Sequence, residues 1–237
     1  MNDATIRLCW CALGDFDDRF DGFREELPAE ERDRADRFRV EPARRRFVLA
    51  RTLLRRELAV IVGVEPGALD FGVGDRGKPH LTNPVPGEPL LFNLSHSGEI
   101  VVLAIAGVDV GADVESLRPV PNAEKLAHRF FSPAERMTVM SFDDEARDRA
   151  FLRIWTQKEA YLKATGLGVG MPLRKVEAEP DPEAPPRLHT IGGDGEEAAR
   201  WKLHEVEIPG AVCTVATLGG VSGVEVVRRT AGDLASS

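Results

Sequence analysis

The chain has 237 residues, of which 43% are hydrophobic and 30% are charged. This length corresponds to one or two domains, and the apolar content can form a packed core, which excludes an intrinsically disordered chain. The formal net charge of −8 argues against a general nucleic-acid binder. The chain shows neither an export signal nor an apolar run of the roughly 18 residues that cross a membrane. We therefore expect a cytoplasmic protein whose partners include neither a membrane nor a nucleic acid.

The first half of the chain predicts strands separated by two charged helices. The predicted elements are a strand at 4–12, a helix from Pro28 towards Phe38, a longer helix from Arg44 to about Val62 that ends at Gly63, a glycine-rich loop at 72–79, and strands at 90–94 and 100–106 around a turn Ser95-His-Ser-Gly98. Cys9 and Cys11 lie on one face of the first strand and are predicted to be reduced core residues.

The two predicted helices of this half are locally basic. Ten arginines and four acidic residues lie between Arg32 and Glu57, although the whole chain is acidic. Such a run is either a solvated helix face or a binding site for an anion. Only six of the 31 basic residues of the chain are lysines, so lysines that gather in a motif call for a chemical explanation.

The second half predicts a similar mixture of elements. These are a strand at about 108–114, a helix that starts at the capping box Ser132-Pro-Ala-Glu135, a helix from about Asp143 to Gly166, a loop or hairpin tip at 180–198, strands near 201–208, 211–218 and 223–228, and a frayed tail at 231–237. Because Phe47-Val-Leu-Ala-Arg-Thr52 is echoed by Phe151-Leu-Arg-Ile-Trp-Thr156, a duplicated architecture is predicted. The expected fold is α+β, with two pseudo-symmetric halves (1–106 and 107–230), each a small, mostly antiparallel sheet packed on helices, and the active site between them.

Charged residues fall on the buried face of the second long helix. With Phe151 and Trp155 defining that face, a helical period places Lys158 and Glu159 within the buried arc and Lys163 at its edge. Burying unpaired charges costs several kcal/mol. These side chains therefore form an internal Lys–Glu pair, reach water with their ends, or line an active site.

Two acidic residues alternate in the strand that follows the first half. Asp113 and Glu115 project from the same side of a strand, and two neighbouring carboxylates repel each other unless a cation lies between them. Mg²⁺ takes one or two carboxylates together with water and phosphate oxygens, and Glu159 could supply a third carboxylate. The alternative is that both acids face solvent on an edge strand, and Asp109 lies on the same face.

Five segments occur in an order and spacing that resemble the 4′-phosphopantetheinyl transferases of the Sfp type, from about Pro28 to Leu173. These segments are Arg76-Gly-Lys-Pro79, Phe92-Asn-Leu-Ser-His-Ser-Gly98, Val110-Gly-Ala-Asp-Val-Glu115, Arg129-Phe-Phe-Ser-Pro-Ala-Glu135 and Trp155-Thr-Gln-Lys-Glu-Ala-Tyr-Leu-Lys163 with its following Ala-Thr-Gly-Leu-Gly. The resemblance implies transfer of 4′-phosphopantetheine from coenzyme A to a serine of an apo acyl or peptidyl carrier protein, with release of adenosine 3′,5′-bisphosphate.

The same resemblance implies roles for individual residues. It implies a Mg²⁺ site, with Mn²⁺ as a substitute, at Asp113, Glu115 and Glu159. It implies catalytic roles for Glu159, Lys163 and His96, with Glu159 as the base for the serine hydroxyl. The residues that it implies for binding coenzyme A are Arg34, Arg51, Arg76, Lys78, Pro79, Ser95, His96, Lys158 and Lys163. Two departures from the family pattern are Val114, which offers no metal ligand between the two acids, and Glu31, where some members carry a basic residue.

The stretch from Glu115 to Arg129 occupies the position at which relatives meet the carrier protein. We expect a monomer. Two alternatives are a metal-dependent nuclease that uses the same acids and a non-catalytic protein that binds coenzyme A or another nucleotide.

Overall fold

The computed structural model describes residues 5–83, 89–167 and 170–235. The strands are β1 (Thr5–Ala12), β2 (Phe71–Val73), β3 (Pro79–Leu81), β4 (Leu91–Ser97), β5 (Ile100–Ala106), β6 (Val110–Ser116), β7 (Val176–Ala178), β8 (Leu188–Ile191), β9 (Trp201–Ile208), β10 (Ala211–Leu218) and β11 (Gly223–Arg228). The α-helices are α1 (Phe20–Glu26), α2 (Ala29–Asp36), α3 (Glu41–Val62), α4 (Ala123–Phe130), α5 (Pro133–Met140), α6 (Asp144–Thr165), α7 (Gly195–Ala199) and α8 (Ala231–Ala235). This is the predicted α+β architecture of small sheets packed on helices.

Two main sheets carry most of the strands. The first has the order β11-β1-β5-β4 and the second the order β6-β10-β9, while β2-β3 and β7-β8 form two-stranded sheets. Pairing is antiparallel in all of these except β1 with β11, which run parallel. The chain thus returns to the first sheet after β10. The strand β11 belongs by sequence to the predicted second half (107–230), but it pairs with β1 of the first half.

Both long helices end where the glycines predict. The helices α3 and α6 each have 22 residues and stop at Gly63 and Gly166, which adopt left-handed conformations with φ of 78° and 66°. A side chain disfavours this conformation, and glycine lacks one. The capping box of α5 is also confirmed, with Ser132 accepting from the backbone of Glu135.

The predicted turn at Ser95-His-Ser-Gly98 is wrong for its first three residues. Ser95, His96 and Ser97 do not form a turn, because they pair with Val102, Val101 and Ile100 as the end of β4; the chain turns instead at Gly98, whose φ is +55°.

The segment 180–198 is more than a loop, since it contains β8 and the start of α7, where the Asp194 side chain accepts from two backbone amides. The tail is ordered as α8 up to residue 235, because Leu234 is buried at 1% exposure. Residues 236 and 237 lie outside the described residues.

A shared core holds the two main sheets together. Ile6 and Val102 from the first sheet are buried with Val114 and Val215 from the second. Next to this core, β4 lies beside β6, and Asn93 Oδ1 accepts a hydrogen bond of 2.9 Å from the backbone of Ala112. We call this junction of β4 and β6 the seam. Among the described residues, no helix is both long and apolar enough to cross a membrane.

Candidate active site

Polar side chains of β4 and β6 face each other across the seam. Ser95 Oγ lies 3.2 Å from Asp113 Oδ1, and Ser97 Oγ donates to Glu115 Oε2 at 2.7 Å. Asp113 is 5% exposed, whereas Glu115 is half-buried. The alternation of a β-strand therefore brings two serines of one sheet to two carboxylates of the other. The prediction that both carboxylates share a face is confirmed, and the alternative of two solvent-facing acids is wrong for Asp113.

The helix α6 adds an ammonium group to this pair of strands. Lys163 Nζ lies 2.5 Å from Asp113 Oδ1 and 2.8 Å from Ser95 Oγ. Glu159 lies one turn earlier on the same helix and is half-buried. Lys163 thus touches both sides of the seam, and Glu159 is the next acidic side chain along the helix.

The close approach of α6 to β6 depends on a glycine. A Cβ atom at Gly111 would lie 2.2 Å from Ala160 O and 2.2 Å from Ala164 N, distances that real side chains do not reach. Sequence reasoning missed this role, although Gly111 precedes Asp113 by two residues in a strand whose other residues are bulkier. The missing side chain lets the helix backbone pack directly on the strand.

The three carboxylates of the site influence one another. Burial raises the pKa of Asp113 to about 7; Lys163 opposes this shift, and Glu115 and Glu159 add to it. Burial also raises the pKa of Glu159, with Lys163 lowering it and Glu115 raising it further. A cation near these acids would therefore stabilise their charged forms.

The donor set fits a hard divalent cation. Asp113 Oδ2 is buried and accepts no hydrogen bond from the residues that the structure describes, and carboxylate oxygens are the ligands that Mg²⁺ prefers. Within the described ranges, no three His, Cys, Asp or Glu side chains already converge closely enough to hold a metal by themselves. The fit is therefore to an ion that takes few carboxylates and completes its coordination with water and phosphate oxygens. That Asp113, Glu115 and Glu159 bind the same cation stays a prediction.

Lys158 is not part of this site, so its predicted contact with coenzyme A is wrong. Its side chain is fully buried, and Nζ donates to Glu135 Oε2 at 2.6 Å and to Phe130 O at 3.2 Å. Burial lowers the pKa of Lys158, and Glu135 opposes that shift. The helical period correctly placed Lys158 in the interior, where it forms the internal Lys–Glu pair that was the alternative.

His96 lies on β4 between the two seam serines. Partial burial lowers the pKa of His96, and the positive charges of Arg46 and Lys163 lower it further, while a backbone hydrogen bond opposes them. Arg46 donates to Gly98 O at 3.0 Å, at the turn that follows β4. Arg46 was not singled out from the sequence, where it is one of ten arginines between Arg32 and Glu57. Its position relative to His96 depends on how α3 packs on the first sheet.

Lys78 connects the β2-β3 hairpin to the second half. Its Nζ donates to Val110 O at 3.0 Å and to Ala164 O at 2.8 Å. These carbonyls belong to β6 and α6, the two elements that carry Asp113 and Lys163. Arg76 is exposed nearby, and both side chains lie against Gly166. The ammonium of Lys78 is thus already engaged by the protein, and its predicted contact with the nucleotide stays a prediction.

A cavity of about 600 Å³ lies along α2, α3 and the β2-β3 hairpin. Its charged lining residues are Arg34, Arg51, Arg55, Glu30, Glu31 and Asp70, and Phe47, Phe71 and Pro79 also line it. The structure thus brings the predicted residues Arg34, Arg51 and Pro79 to one cavity.

Two arginines of this cavity bind Glu31. Arg51 Nε donates to Glu31 at 2.8 Å, and Arg55 donates to both oxygens of the same carboxylate at 2.9 and 3.0 Å. The guanidinium of Arg34 instead lies over the ring of Phe47, 5.1 Å from its centre. Glu31 therefore neutralises part of the positive charge of the cavity.

Comparison with known proteins identifies the class. Residues 109–216 match the model of the 4′-phosphopantetheinyl transferase superfamily, and residues 16–107 match that of the N-terminal part of 4′-phosphopantetheinyl transferase. The transferase HetI of Nostoc sp. is 41% identical over 191 residues, which cover 80% of this chain and 77% of HetI. The chain belongs to the 4′-phosphopantetheinyl transferase superfamily. These matches give no support to the nuclease alternative.

Two further matches have lower sequence identity. A 4′-phosphopantetheinyl transferase of Bacillus subtilis is 32% identical over 148 residues, which cover 62% of this chain and 63% of the relative. Among solved structures, a holo-(acyl-carrier-protein) synthase from Bacillus anthracis in complex with CoA (3′,5′-ADP) is 19% identical, with a TM-score of 0.39, and the match covers 48% of this chain and 96% of that one.

Proposed function

We propose that this chain transfers 4′-phosphopantetheine from coenzyme A to a serine hydroxyl of an apo acyl or peptidyl carrier protein. The observation that carries the proposal is the group of Asp113, Ser95 and Lys163 at the seam, with a buried carboxylate oxygen that accepts no hydrogen bond from the described residues. This group occurs in a chain of the superfamily, at the meeting point of the two main sheets. A pyrophosphate there would meet an ammonium donor and oxygen ligands for a divalent cation.

In the proposed reaction, the serine oxygen forms a bond to the phosphorus that carries the pantetheine arm. The bond from that phosphorus to the bridging oxygen breaks, and adenosine 3′,5′-bisphosphate leaves with the electron pair. Glu159 accepts the serine proton, directly or through a water molecule. Lys163 donates to the phosphoryl oxygens as negative charge develops on them.

Asp113 and Glu115 would hold Mg²⁺ or Mn²⁺, with Glu159 as a third ligand. When bound, the cation supplies positive charge that stabilises the pyrophosphate oxygens. Ser95 and Lys163, which share a hydrogen bond, would orient that pyrophosphate together with His96.

We assign the nucleotide end of coenzyme A to the first half of the chain. Arg34, Arg51 and Pro79 share the cavity described above, and Arg76 and Lys78 lie at the tip of the neighbouring hairpin. The carrier protein would meet the stretch from Glu115 to Arg129, and the enzyme is proposed to act as a cytoplasmic monomer.

The test is incubation of the purified chain with coenzyme A, Mg²⁺ and a panel of apo carrier proteins, followed by mass spectrometry of each carrier. Transfer adds about 340 Da, the mass of one phosphopantetheine group in place of a hydrogen. The addition should require Mg²⁺ and should vanish when the acceptor serine of the carrier is replaced by alanine. A panel of acyl and peptidyl carriers in which no member gains this mass would refute the proposal.

A further inference from the structure

Ser97 makes a directed contact with Glu115. The backbone N–H of Ser116 donates to Ser97 Oγ at 3.2 Å, and Ser97 Oγ donates to Glu115 Oε2 at 2.7 Å. A serine hydroxyl has a single proton, so a hydroxyl that already accepts from a backbone amide can direct that proton at the carboxylate. The amide of Ser116 is fixed by the pairing of β6 with β10, in which Ser116 lies opposite Ala211. The orientation of the hydroxyl is therefore set by the sheet.

The two oxygens of Glu115 have different surroundings. Oε2 accepts from Ser97 and also lies 3.3 Å from a guanidinium nitrogen of Arg118. Oε1 accepts no hydrogen bond within the part of the chain that the structure describes. Two donors thus fix one oxygen and leave the other for a ligand outside the protein.

We propose that Ser97 is a positioning residue that holds Glu115 in the orientation that binds the divalent cation, with Oε1 presented to the ion. The inference rests on the proposed function, in which Glu115 is a metal ligand. Hydrogen-bond partners behind metal ligands orient them, and their removal typically weakens metal binding by about 10- to 100-fold. Ser97 itself touches neither the cation nor the reacting phosphorus.

The neighbouring Ser116 provides a matched control. Its hydroxyl donates at 2.9 Å to Ser97 O, which is a backbone carbonyl and not a carboxylate. Replacing this hydroxyl keeps the backbone amide that orients Ser97. A general effect of losing one seam hydroxyl would therefore appear in both variants, whereas loss of the orientation of Glu115 would appear only in the Ser97 variant.

The experiment measures Mn²⁺ binding to the full chain by electron paramagnetic resonance with coenzyme A present, whose phosphate oxygens complete the coordination, and without a carrier; coenzyme A with Mn²⁺ but no protein gives the background. We expect Ser97→Ala to raise the Kd for Mn²⁺ by about 10-fold or more, Ser116→Ala to change it by less than about twofold, and Ser97→Thr, which keeps a hydroxyl, to restore most of the affinity. Thermal unfolding of each variant identifies those that are folded. If Ser97→Ala does not fold, Ser97→Cys, a poorer donor of similar size, is judged by the same criterion with a smaller expected loss.

The inference is overturned if a folded Ser97 variant without the hydroxyl binds Mn²⁺ as the wild type does, or if Ser116→Ala weakens binding equally. Glu115→Gln separates this failure from that of the metal assignment. If the wild type binds Mn²⁺ and Glu115→Gln does not, an unchanged Ser97→Ala refutes only the role of Ser97. If the wild type binds no Mn²⁺, or Glu115→Gln binds it equally well, the metal site fails and the role of Ser97 fails with it.

Discussion

Lys163 Nζ lies 2.5 Å from Asp113 Oδ1 and joins the last turns of α6 to the middle of β6. The ammonium partly offsets a carboxylate that burial would otherwise keep protonated, since the pKa of Asp113 is raised to about 7 even with Lys163 beside it. A buried carboxylate of this kind lowers the free energy of unfolding, and proteins keep such groups where they bind a ligand. In a complex with pyrophosphate, Lys163 would donate a hydrogen bond to one side of it, and Asp113 would bind the metal ion at the adjoining side.

The first prediction separates the effect of Asp113 on stability from its effect on catalysis. In Asp113→Asn the buried charge is lost while the shape is kept, so we expect the melting temperature to stay the same or rise. Transfer to a carrier should fall roughly 100-fold or more, because a metal ligand and the partner of Lys163 are both lost. Calorimetry and the carrier mass assay measure the two quantities. Asp109→Asn, which changes an exposed acid four residues earlier, is the control and should leave both nearly unchanged.

The second prediction concerns the buried pair of Lys158 and Glu135. Lys158→Met leaves Glu135 buried without its ammonium partner, which should cost about 3–5 kcal/mol of unfolding free energy. Combining it with Glu135→Gln should recover part of this loss. By contrast, Lys163→Met should abolish transfer with a much smaller effect on stability, because its side chain is partly exposed.

Denaturant unfolding and the rate of transfer per folded molecule test this contrast. If folded Lys158→Met lost transfer as completely as Lys163→Met, Lys158 would have to act in the reaction, contrary to its full burial.

The third prediction concerns the contact of α6 with β6. Gly111→Ala would place a methyl group 2.2 Å from the backbone of α6, so the helix has to move or the protein has to lose stability. We expect a loss of about 3 kcal/mol or more, together with a reduced rate of transfer, since Glu159 and Lys163 move with the helix. Gly107→Ala is the matched control, because its Cβ would lie at an ordinary 3.8 Å from Pro89 O. Equal stability of the two variants would contradict the close packing.

The fourth prediction concerns the pH dependence at Glu31. Burial raises the pKa of Glu31, but hydrogen bonds from Arg55 and Arg51 outweigh burial, so that the net shift is downward from 4.5. A carboxylate with a lowered folded pKa stabilises the protein fully above its unfolded pKa, and this stabilisation is lost as the pH falls through the folded pKa. Glu31→Gln should therefore cost about 1–3 kcal/mol at pH 7.

The difference between wild type and Glu31→Gln should shrink as the pH falls below 4.5, the ordinary value for glutamate. Urea unfolding at a series of pH values measures it. The exposed neighbour Glu30 offers a control, and Glu30→Gln should show little difference at any pH. A difference for Glu31→Gln that stays constant down to strongly acidic pH would contradict the ion-pair account.

Local sequence signals predicted the elements of the fold well. The two long helices are bounded by Gly63 and Gly166, and the capping box at Ser132 starts α5 as expected, because these signals act within a few residues of the helix end. Ser95-His-Ser-Gly98 was misread because serine, histidine and glycine favour turns locally, while pairing with β5 keeps the first three in the strand. The end of the chain was expected to fray because its contact with the first half cannot be read from its composition.

Reasoning from the residues alone predicted the candidate site only where side chains share one element, and the family resemblance was needed to join Ser95, Asp113 and Lys163 from three elements. Asp113 and Glu115 follow from strand alternation, and the burial of Lys158 follows from the helical period. The partner of Lys158 does not, because Glu135 lies on another helix, 23 residues earlier in the chain. For the same reason the sequence did not single out Arg46 or Ser97, whose positions depend on how separate elements pack.

We propose that one divalent cation binds Asp113, Glu115 and Glu159 and also contacts the pyrophosphate of coenzyme A. The most direct measurement is anomalous diffraction from crystals of the full chain grown with coenzyme A and Mn²⁺. We expect one strong Mn²⁺ peak at the seam, within coordinating distance of oxygens from Asp113, Glu115 and the pyrophosphate, with Glu159 bound directly or through water. A pyrophosphate bound away from these acids, or a Mn²⁺ peak that none of them contacts, would contradict it.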